Sequence, residues 1–182
     1  RSIIKVTGSS LSDITVRDCR FENVYSSSVA SLNVERVKVR NCRFDSISCE
    51  ALFAFQDTNT LSSFYDGHEF VGNTVTNQGS GFNASADTSK NGNAVLLSYP
   101  RDFVVSNNIF DGLGKCAIKI EVPRDGSVVG NTIRSNACFN FAAIQTQSGC
   151  VNVDFTGNTI FDCCMGIQVL GDTGSGGEAV DT

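Results

Sequence analysis

Short segments in which apolar and polar residues alternate recur along the chain. Each begins with a small residue, and apolar side chains then follow at every second position. The copies are "ALFAF" from Ala51, "AVLLS" from Ala94, "AIKIE" from Ala117, "AIQTQ" from Ala143, "GIQVL" from Gly166 and, more weakly, "SVASL" from Ser28. Alternation with a period of two places successive side chains on opposite faces of a β-strand. The pattern therefore predicts strands whose inward-facing residues are Leu52, Val95, Ile118, Ile144 and Ile167.

A second motif, apolar-x-x-[Asn/Cys]-x-[Phe/Ile/Val], occurs six times. Its fourth position is occupied by Cys19, Cys42, Asn73, Asn107, Asn131 and Asn158. The Asn, Gly, Asp and Ser residues around it are typical of turns. The shortest spacing between copies is about 23 residues, and the opening residues of the strands most often recur at the same spacing. Two independent motifs that share one base period indicate a structural repeat.

Short strands, sharp turns and a period of about 23 residues predict a solenoid of stacked β-coils. A single coil cannot bury its inward side chains, whereas coils stacked about 4.8 Å apart can do so. Asn tolerates the left-handed backbone of a corner, and its amide can hydrogen-bond to the Asn of the next coil. The six-fold motif is therefore expected to belong to the scaffold, with its Asn residues forming one column.

The six turn motifs and the alternating strands, over about residues 14 to 170, resemble the right-handed parallel β-helix of the pectate-lyase-like superfamily. The predicted fold class is all-β, a right-handed single-stranded parallel β-helix of about six to seven coils. The superfamily includes pectate lyases, polygalacturonases, other polysaccharide lyases and hydrolases, mannuronan epimerases and bacteriophage tailspikes. The resemblance implies an acidic or complex polysaccharide as the partner, but fold alone does not define function.

Two stretches depart from the period and are predicted insertions, 56–68 and 77–93. The β-helix segment is expected to span 1–170, followed by a Gly-rich exit segment at 171–182. Because the chain begins without Met or a signal segment, we expect it to be a fragment of a longer protein. Loops that project from a rigid scaffold often carry binding residues, although they can equally be tolerated surface loops.

The composition narrows the classes of partner. A net charge of −5 provides no basic excess for binding phosphates, and no apolar run is long enough for a membrane span. We therefore expect neither a nucleic-acid partner nor membrane insertion.

Eight cysteines would allow four disulfides, but a chain of this length does not need them, and several fit positions for small buried residues. Mostly reduced, buried thiols are expected, and hence folding in a reducing cytoplasm.

The outward positions of the predicted strands form two columns of mixed chemistry. One column contains Phe53, Leu96, Lys119, Gln145 and Gln168, and the other contains Phe55, Ser98, Glu121, Gln147 and Leu170. Aromatic faces, amides and carboxylates suit the binding of a glycan. Exposed phenylalanines could equally mark a subunit interface, and the whole surface could be an ordinary solvated sheet face. These three interpretations stay open at the level of sequence.

The tripeptide Pro-Arg-Asp occurs in "YPRDF" and "VPRDG", one period apart. Asp102 is therefore expected to stack over Asp125, and Arg101 over Arg124. Two carboxylates about 5 Å apart, beside arginines, could catalyse acid–base chemistry on a glycosidic bond. The alternative is turn chemistry, in which Pro sets the corner and Asp caps it. Glu121 lies near the same corner and is a further catalytic candidate.

The single histidine, His68, lies in "FYDGHEF". Together with Tyr65, Asp66 and Glu69 it is similar to the Tyr/Asp/His chemistry of β-helical epimerases and lyases. The mannuronan epimerase motif is Asp-Pro-His, whereas this chain has Asp-Gly-His; the alternative is a solvated loop histidine. The acidic residues are scattered, without the cluster of a calcium-dependent pectate lyase, so neither a metal site nor a cofactor is expected.

The favoured hypothesis is a glycoside hydrolase or lyase of the phage tailspike type, a homotrimer that degrades a bacterial surface polysaccharide. It folds in the cytoplasm and acts on the virion or outside the cell, which fits reduced thiols. Its expected catalytic residues are Glu121, Asp125 and Asp102, and its expected substrate-binding residues are Phe53, Phe55, Lys119, Gln145, Gln147, Arg101, Arg124, Tyr65 and His68. The alternatives are a non-catalytic glycan-binding or adhesion solenoid, a structural shaft, and a uronan C5-epimerase-like enzyme.

Overall fold

The computed structural model describes residues 3–8, 11–55, 64–78, 93–136 and 142–171, with the backbone alone at Phe53, Phe55 and Asn136. These residues form 21 β-strands and no helix. Every ladder between the strands is parallel. The predicted class, an all-β parallel solenoid, is confirmed.

The strands stack into three sheets, named here A, B and C. Sheet A contains β1 (Ile4–Thr7), β4 (Val29–Leu32), β7 (Leu52–Phe55), β11 (Val95–Ser98), β15 (Ile118–Glu121), β18 (Ile144–Gln147) and β21 (Ile167–Leu170). Sheet B contains β2 (Thr15–Arg17), β5 (Lys38–Arg40), β8 (Tyr65–Asp66), β9 (Glu69–Val71), β12 (Pro100–Arg101), β13 (Val104–Ser106), β16 (Arg124–Val129) and β19 (Val151–Thr156). Sheet C contains β3 (Arg20–Val24), β6 (Arg43–Ile47), β10 (Thr74–Thr76), β14 (Ile109–Asp111), β17 (Thr132–Asn136) and β20 (Thr159–Cys163).

Each coil runs from sheet A through sheet B to sheet C and then returns to sheet A one level further along. In sheet A, Leu52 pairs with Val29 on one side and with Val95 on the other, and Val95 pairs with Ile118. This is the register that the alternating sequence pattern predicted. Sheet A stacks seven strands and sheet C stacks six, in agreement with the expected number of coils.

The core is a set of inward columns in which like residues stack on like. Phe21 and Phe44 are parallel with ring centroids 4.8 Å apart, and Phe70 continues the stack 6.0 Å from Phe44 and 6.2 Å from Phe110. The inward residues of sheet A from Leu52 to Ile144 are fully buried. Ile167, also predicted to be buried, is 46% exposed because β21 is the last described strand of the stack.

Four asparagines form a second inward column, the asparagine column: Asn73, Asn108, Asn131 and Asn158. Asn73 Nδ2 donates to Asn108 Oδ1 (3.1 Å), Asn108 Nδ2 to Asn131 Oδ1 (2.9 Å), and Asn131 Nδ2 to Asn158 Oδ1 (2.9 Å). The column continues to Cys42, whose backbone N–H donates to Asn73 Oδ1 (2.8 Å). The placement of Asn107 in this column was wrong by one residue, because it is Asn108 that points inward.

Asn107 instead occupies the corner immediately before the column, where the chain turns from sheet B to sheet C. Its φ is +55°, and the equivalent corners at Asn41, Gly72 and Gly130 have φ values of +52°, +68° and +66°. Asn and Gly are the residues that adopt this left-handed conformation at least cost. The residue types of the motif thus follow from two adjacent requirements, a left-handed corner and an inward amide.

The predicted insertions lie largely outside the described residues, namely at 56–63 and 79–92, as does most of the exit segment at 172–182. The predicted C-terminal boundary of the first insertion, residue 68, was too late. Tyr65 and Asp66 form β8 and pair with Pro100 and Arg101 in the regular coil.

The expectation that most cysteines are buried was also wrong. Of the seven described, two are buried; the other five lie mainly in the first and last described coils, where less packs against them. The buried pair is Cys42 and Cys116, and the partly or fully exposed ones are Cys19, Cys49, Cys150, Cys163 and Cys164.

Candidate functional site

The corner where strands of sheet A end and strands of sheet B begin is called here the A–B edge. At this edge Glu121, the last residue of β15, points outward and is partly exposed. Lys119 Nζ lies 2.8 Å from Glu121 Oε1, and Ser98 Oγ on the neighbouring coil donates to Glu121 Oε2 (3.2 Å). Each carboxylate oxygen of Glu121 therefore has a partner that fixes its position.

The outward columns of sheet A have the predicted register but not the predicted exposure. Lys119 pairs with Gln145, and Glu121 pairs with Gln147. Gln145 is only 6% exposed, and its Nε2 donates to Gln168 Oε1 (2.7 Å). The backbone of Phe53 pairs with Ala30 and Leu96, and that of Phe55 pairs with Leu32. Gln147 is thus the more accessible of the two predicted amides.

The two Pro-Arg-Asp segments lie in register, with Arg101 directly paired to Arg124 as predicted. Their guanidinium groups nevertheless have different environments. Arg101 makes a bidentate ion pair with Asp66, with Nε–Oδ1 at 2.8 Å and a terminal nitrogen–Oδ2 at 2.7 Å. Arg124 lies over the ring of Phe64, with Cζ 4.6 Å from the centroid. The first arginine holds two coils together, whereas the second presents its charge on an aromatic surface.

Phe64 and Tyr99 were not identified as candidates from the sequence. Their rings meet edge to face with centroids 6.4 Å apart, and both are partly exposed. A signal was present, because "FYDGH" and "YPRDF" are equivalent segments of neighbouring coils, each opening with an aromatic residue. The misplaced boundary of the first insertion concealed this alignment.

Asp102 and Asp125 are exposed and lie at left-handed corners, with φ values of +52° and +48°. The equivalent corners of adjacent coils are Gly67 and Asn152, with φ values of +68° and +51°. Asn152 Nδ2 donates to Asp125 Oδ1 (2.8 Å). This geometry favours the turn interpretation of the two aspartates, because every residue of the column adopts the same strained conformation.

A depression of about 1000 Å³ is lined in part by Asp102, Asp125 and Asn152. Its other walls include Phe155 and Val169, which occupy inward positions of the last described coil. Since core side chains form so much of the lining, the depression is the exposed end of the stack. It does not by itself define a ligand site.

His68 is not on the surface, so its assignment as a substrate-binding residue was wrong. It occupies an inward position, is 3% exposed, and its Nδ1 accepts the backbone N–H of Val37 (3.3 Å). Burial lowers the pKa of His68 to about 4, although the charge of Asp66 acts in the opposite direction. The imidazole is therefore a neutral core group at neutral pH.

The neighbours of His68 also have structural partners. The hydroxyl of Tyr65 donates to Asn33 Oδ1 (3.3 Å), and Glu69 forms ion pairs with Arg40 and Lys38 on the outer face of sheet B. Tyr65 remains partly exposed at the A–B edge. The segment therefore does not assemble the Tyr/Asp/His group expected of an epimerase-like site.

Within the described ranges, no group of three or more His, Cys, Asp or Glu side chains is arranged to hold a metal ion. The same part of the chain includes no helix with the length and apolar character needed to cross a membrane.

Coils of parallel strands stacked through three sheets define the class of the protein as a parallel β-solenoid. The chain matches the family model described as a right handed beta helix region over residues 2–176, and it belongs to that family. A comparison with curated proteins and a comparison with solved structures each found no match.

Proposed function

We propose that the protein binds and cleaves a polysaccharide at the A–B edge, as a glycoside hydrolase or a lyase. The observation that carries the proposal is the position of Glu121, a carboxylate fixed by Lys119 and Ser98. Ser98 is followed directly by Tyr99, whose ring contacts Phe64. One edge of the solenoid thus combines an oriented carboxylate with partly exposed aromatic rings, the two groups that sugar recognition and sugar chemistry use.

In this proposal Glu121 exchanges a proton with the glycosidic bond or with the sugar ring. Hydrolysis requires a second carboxylate, and its distance from the first determines the stereochemical outcome. Asp125 is the candidate for this role, with Asp102 one coil away as the alternative. Lys119 orients Glu121, and Gln147 with Tyr65 supplies hydrogen bonds to hydroxyl groups.

The proposal extends to the biological setting as a tailspike-type depolymerase that acts on a bacterial surface polysaccharide, outside the cell. Stacked coils repeat similar outward positions about every 4.8 Å, which offers an extended polymer a series of contacts. A homotrimer belongs to the same proposal. Sizing of the protein in solution tests this oligomeric state.

A second candidate function is glycan binding without cleavage. It is favoured by the left-handed backbone conformation of Asp102 and Asp125, which the equivalent corners of adjacent coils share. The hydrogen bond from Asn152 to Asp125 also favours it. If both aspartates are structural, Glu121 is the only catalytic carboxylate left of the three candidates. The epimerase alternative loses its main support because His68 is buried.

The experiment is incubation of the protein with a panel of capsular and O-antigen polysaccharides, followed by chromatography for released oligosaccharides. Ultraviolet absorbance of the products identifies a lyase, and new reducing ends without absorbance identify a hydrolase. Glu121→Gln is expected to lower the rate by at least about 100-fold, the scale of a lost general acid or base.

The matched control is Glu22→Gln, because Glu22 is also an outward carboxylate paired with a cation, Arg20. It is expected to keep wild-type activity. Binding without product formation by the wild-type protein would favour the second candidate. Full activity of Glu121→Gln would remove Glu121 from the mechanism.

A further inference from the structure

Cys19 and Cys42 occupy equivalent positions of two adjacent coils. Each immediately precedes a paired residue of sheet C, because Arg20 is in register with Arg43. The backbone N–H of Arg43 donates to Cys19 O (2.9 Å), which continues the ladder to the two cysteines. Adjacent parallel strands lie about 4.8 Å apart, and the Cα atoms of a disulfide lie about 4.4–6.8 Å apart. The backbone spacing therefore suits a bond between the two side chains.

The two thiols also point in the same direction. Cys19 Sγ donates to the backbone carbonyl of Arg17 (3.1 Å), and Cys42 Sγ donates to that of Arg40 (3.3 Å). Arg17 and Arg40 are themselves in register, so the two Sγ atoms occupy equivalent places on successive coils. Cys42 Sγ also lies 3.8 Å from Val16 O, on the coil of Cys19. A disulfide then requires a side-chain rotation and a small approach of the two Cβ atoms, to about 3.5–4.5 Å.

The two cysteines stand where the asparagine column ends. From Asn73 onwards, hydrogen bonds between side-chain amides link successive coils, and the backbone N–H of Cys42 donates to Asn73 Oδ1 (2.8 Å). Between Cys42 and Cys19 there is no amide, and a thiol is a weak donor and a weak acceptor. At this column, the first described coil is therefore held to the second only by the weak hydrogen bonds of thiols.

The two cysteines differ in accessibility. Cys19 is exposed, whereas Cys42 is only 2% exposed. Burial raises the pKa of the Cys42 thiol, although a hydrogen bond with the backbone of Cys19 acts in the opposite direction. An oxidant in solution therefore reaches Cys19 first, and Cys42 lies beside it as the second thiol. Disulfide exchange needs such a pair, since it proceeds through a mixed disulfide that a neighbouring thiol then displaces.

We propose that Cys19 and Cys42 form a disulfide that clamps the first described coil to the second when the protein meets an oxidising medium. The oxidant is a small-molecule disulfide such as oxidised glutathione. Cys19 loses its proton to solvent, and its thiolate attacks one sulfur of the small disulfide, whose S–S bond breaks and releases one thiol. Cys42 then loses its proton and attacks Cys19 Sγ in the mixed disulfide, which releases the second thiol. Two protein thiols are oxidised and one small disulfide is reduced to two thiols. This clamp does not depend on the proposed function.

The test equilibrates the folded full chain in buffers with increasing ratios of oxidised to reduced glutathione, and free thiols are then blocked with N-ethylmaleimide. Trypsin cleaves after arginine, so it releases Cys19 in the peptide 18–20 and Cys42 in the peptide 41–43. Mass spectrometry of the unreduced digest is expected to find these two peptides joined, in a fraction that rises with the ratio. Cys19→Ser should abolish the joined species. Cys164→Ser is the matched control, because it replaces another exposed cysteine, and it should retain the species.

The disulfide is also expected to stabilise the fold, because it closes a loop of about 23 residues and so constrains the unfolded chain. In urea denaturation, the equilibrium constant for unfolding should be on the order of 100-fold lower for the oxidised wild type than for the reduced wild type. Oxidation should leave this constant unchanged in Cys19→Ser and should lower it in Cys164→Ser as in the wild type.

Three results would overturn the proposal. The joined peptides could be absent at every ratio, which excludes the bond. The bond could form without lowering the equilibrium constant for unfolding, which excludes the clamp. The joined peptides could also form in equal yield from the folded chain and from the chain oxidised in urea, and the stacking of the two coils would then contribute nothing to the pairing.

Discussion

Replacement of Asn108 by alanine tests the register of the solenoid. The Asn108 side chain makes four hydrogen bonds: it donates to Phe70 O (2.8 Å) and Asn131 Oδ1 (2.9 Å), and it accepts from Asn73 N (2.8 Å) and Asn73 Nδ2 (3.1 Å). It is 1% exposed, so water cannot replace these bonds. The substitution therefore leaves buried partners without hydrogen bonds.

The loss of stability in Asn108→Ala depends on which partners of Asn108 have no other hydrogen bond. Asn73 Nδ2 keeps Val39 O (2.9 Å), and Asn131 Oδ1 keeps the backbone N–H of Asn108 (3.1 Å). Phe70 O and Asn73 N lose the bonds described above. Phe70 also lies within the ladder of sheet B, so Asn73 N is the buried group that is left without a partner; this costs about 1–3 kcal/mol, and Asn108→Ala should lower the free energy of unfolding by at least that amount.

The control is Asn107→Gly. Asn107 is exposed at a left-handed corner whose equivalents on neighbouring coils are Gly72 and Gly130. Glycine adopts this conformation without strain, so the free energy of unfolding should change by less than about 1 kcal/mol. Urea denaturation followed by circular dichroism measures both variants. If Asn107→Gly proved as destabilising as Asn108→Ala, the assignment of Asn108 to the column would be refuted.

Two further predictions concern the core. The pKa of His68 is about 4 in the folded protein, whereas an unperturbed histidine, as in the unfolded chain, has a pKa of about 6.5. Between these pH values the unfolded chain therefore binds more protons than the folded protein. The contribution of His68 to stability is complete above pH 6.5 and falls by about 3 kcal/mol as the pH drops to 4; urea midpoints across this range should show a decline that His68→Leu reduces. Gly126→Ala places a Cβ 2.1 Å from the ring of Phe103 and should destabilise the fold by about 2 kcal/mol or more, whereas Gly166→Ala, with no atom within 4 Å, should have little effect in the same assay.

Most of the architecture could be predicted because a solenoid repeats its own constraints. The alternation at Leu52, Val95 and Ile118 defines an inward face, and the register of sheet A follows from it. The error at Asn107 arose where the sequence offers two consecutive asparagines. Either one is followed two residues later by an apolar residue, Ile109 or Phe110, so the local pattern could not choose between them.

The candidate site was less accessible to sequence reasoning, since it depends on contacts between coils. The pairing of Arg101 with Arg124 followed from the period, but the different environments of the two arginines did not. These environments depend on Asp66 and Phe64, which the sequence prediction had placed inside the first insertion. His68 was misjudged for the same reason, because its inward orientation appears only once that coil is correctly aligned.

The proposed function requires that a polysaccharide bind along the A–B edge. Hydrogen–deuterium exchange of the full chain, with and without a polysaccharide from the panel that it binds, tests this location most directly. Slower exchange is expected at the strand ends around Ser98 to Arg101 and Glu121 to Arg124, with sheet C unchanged. Protection confined to the outer face of sheet C would contradict it.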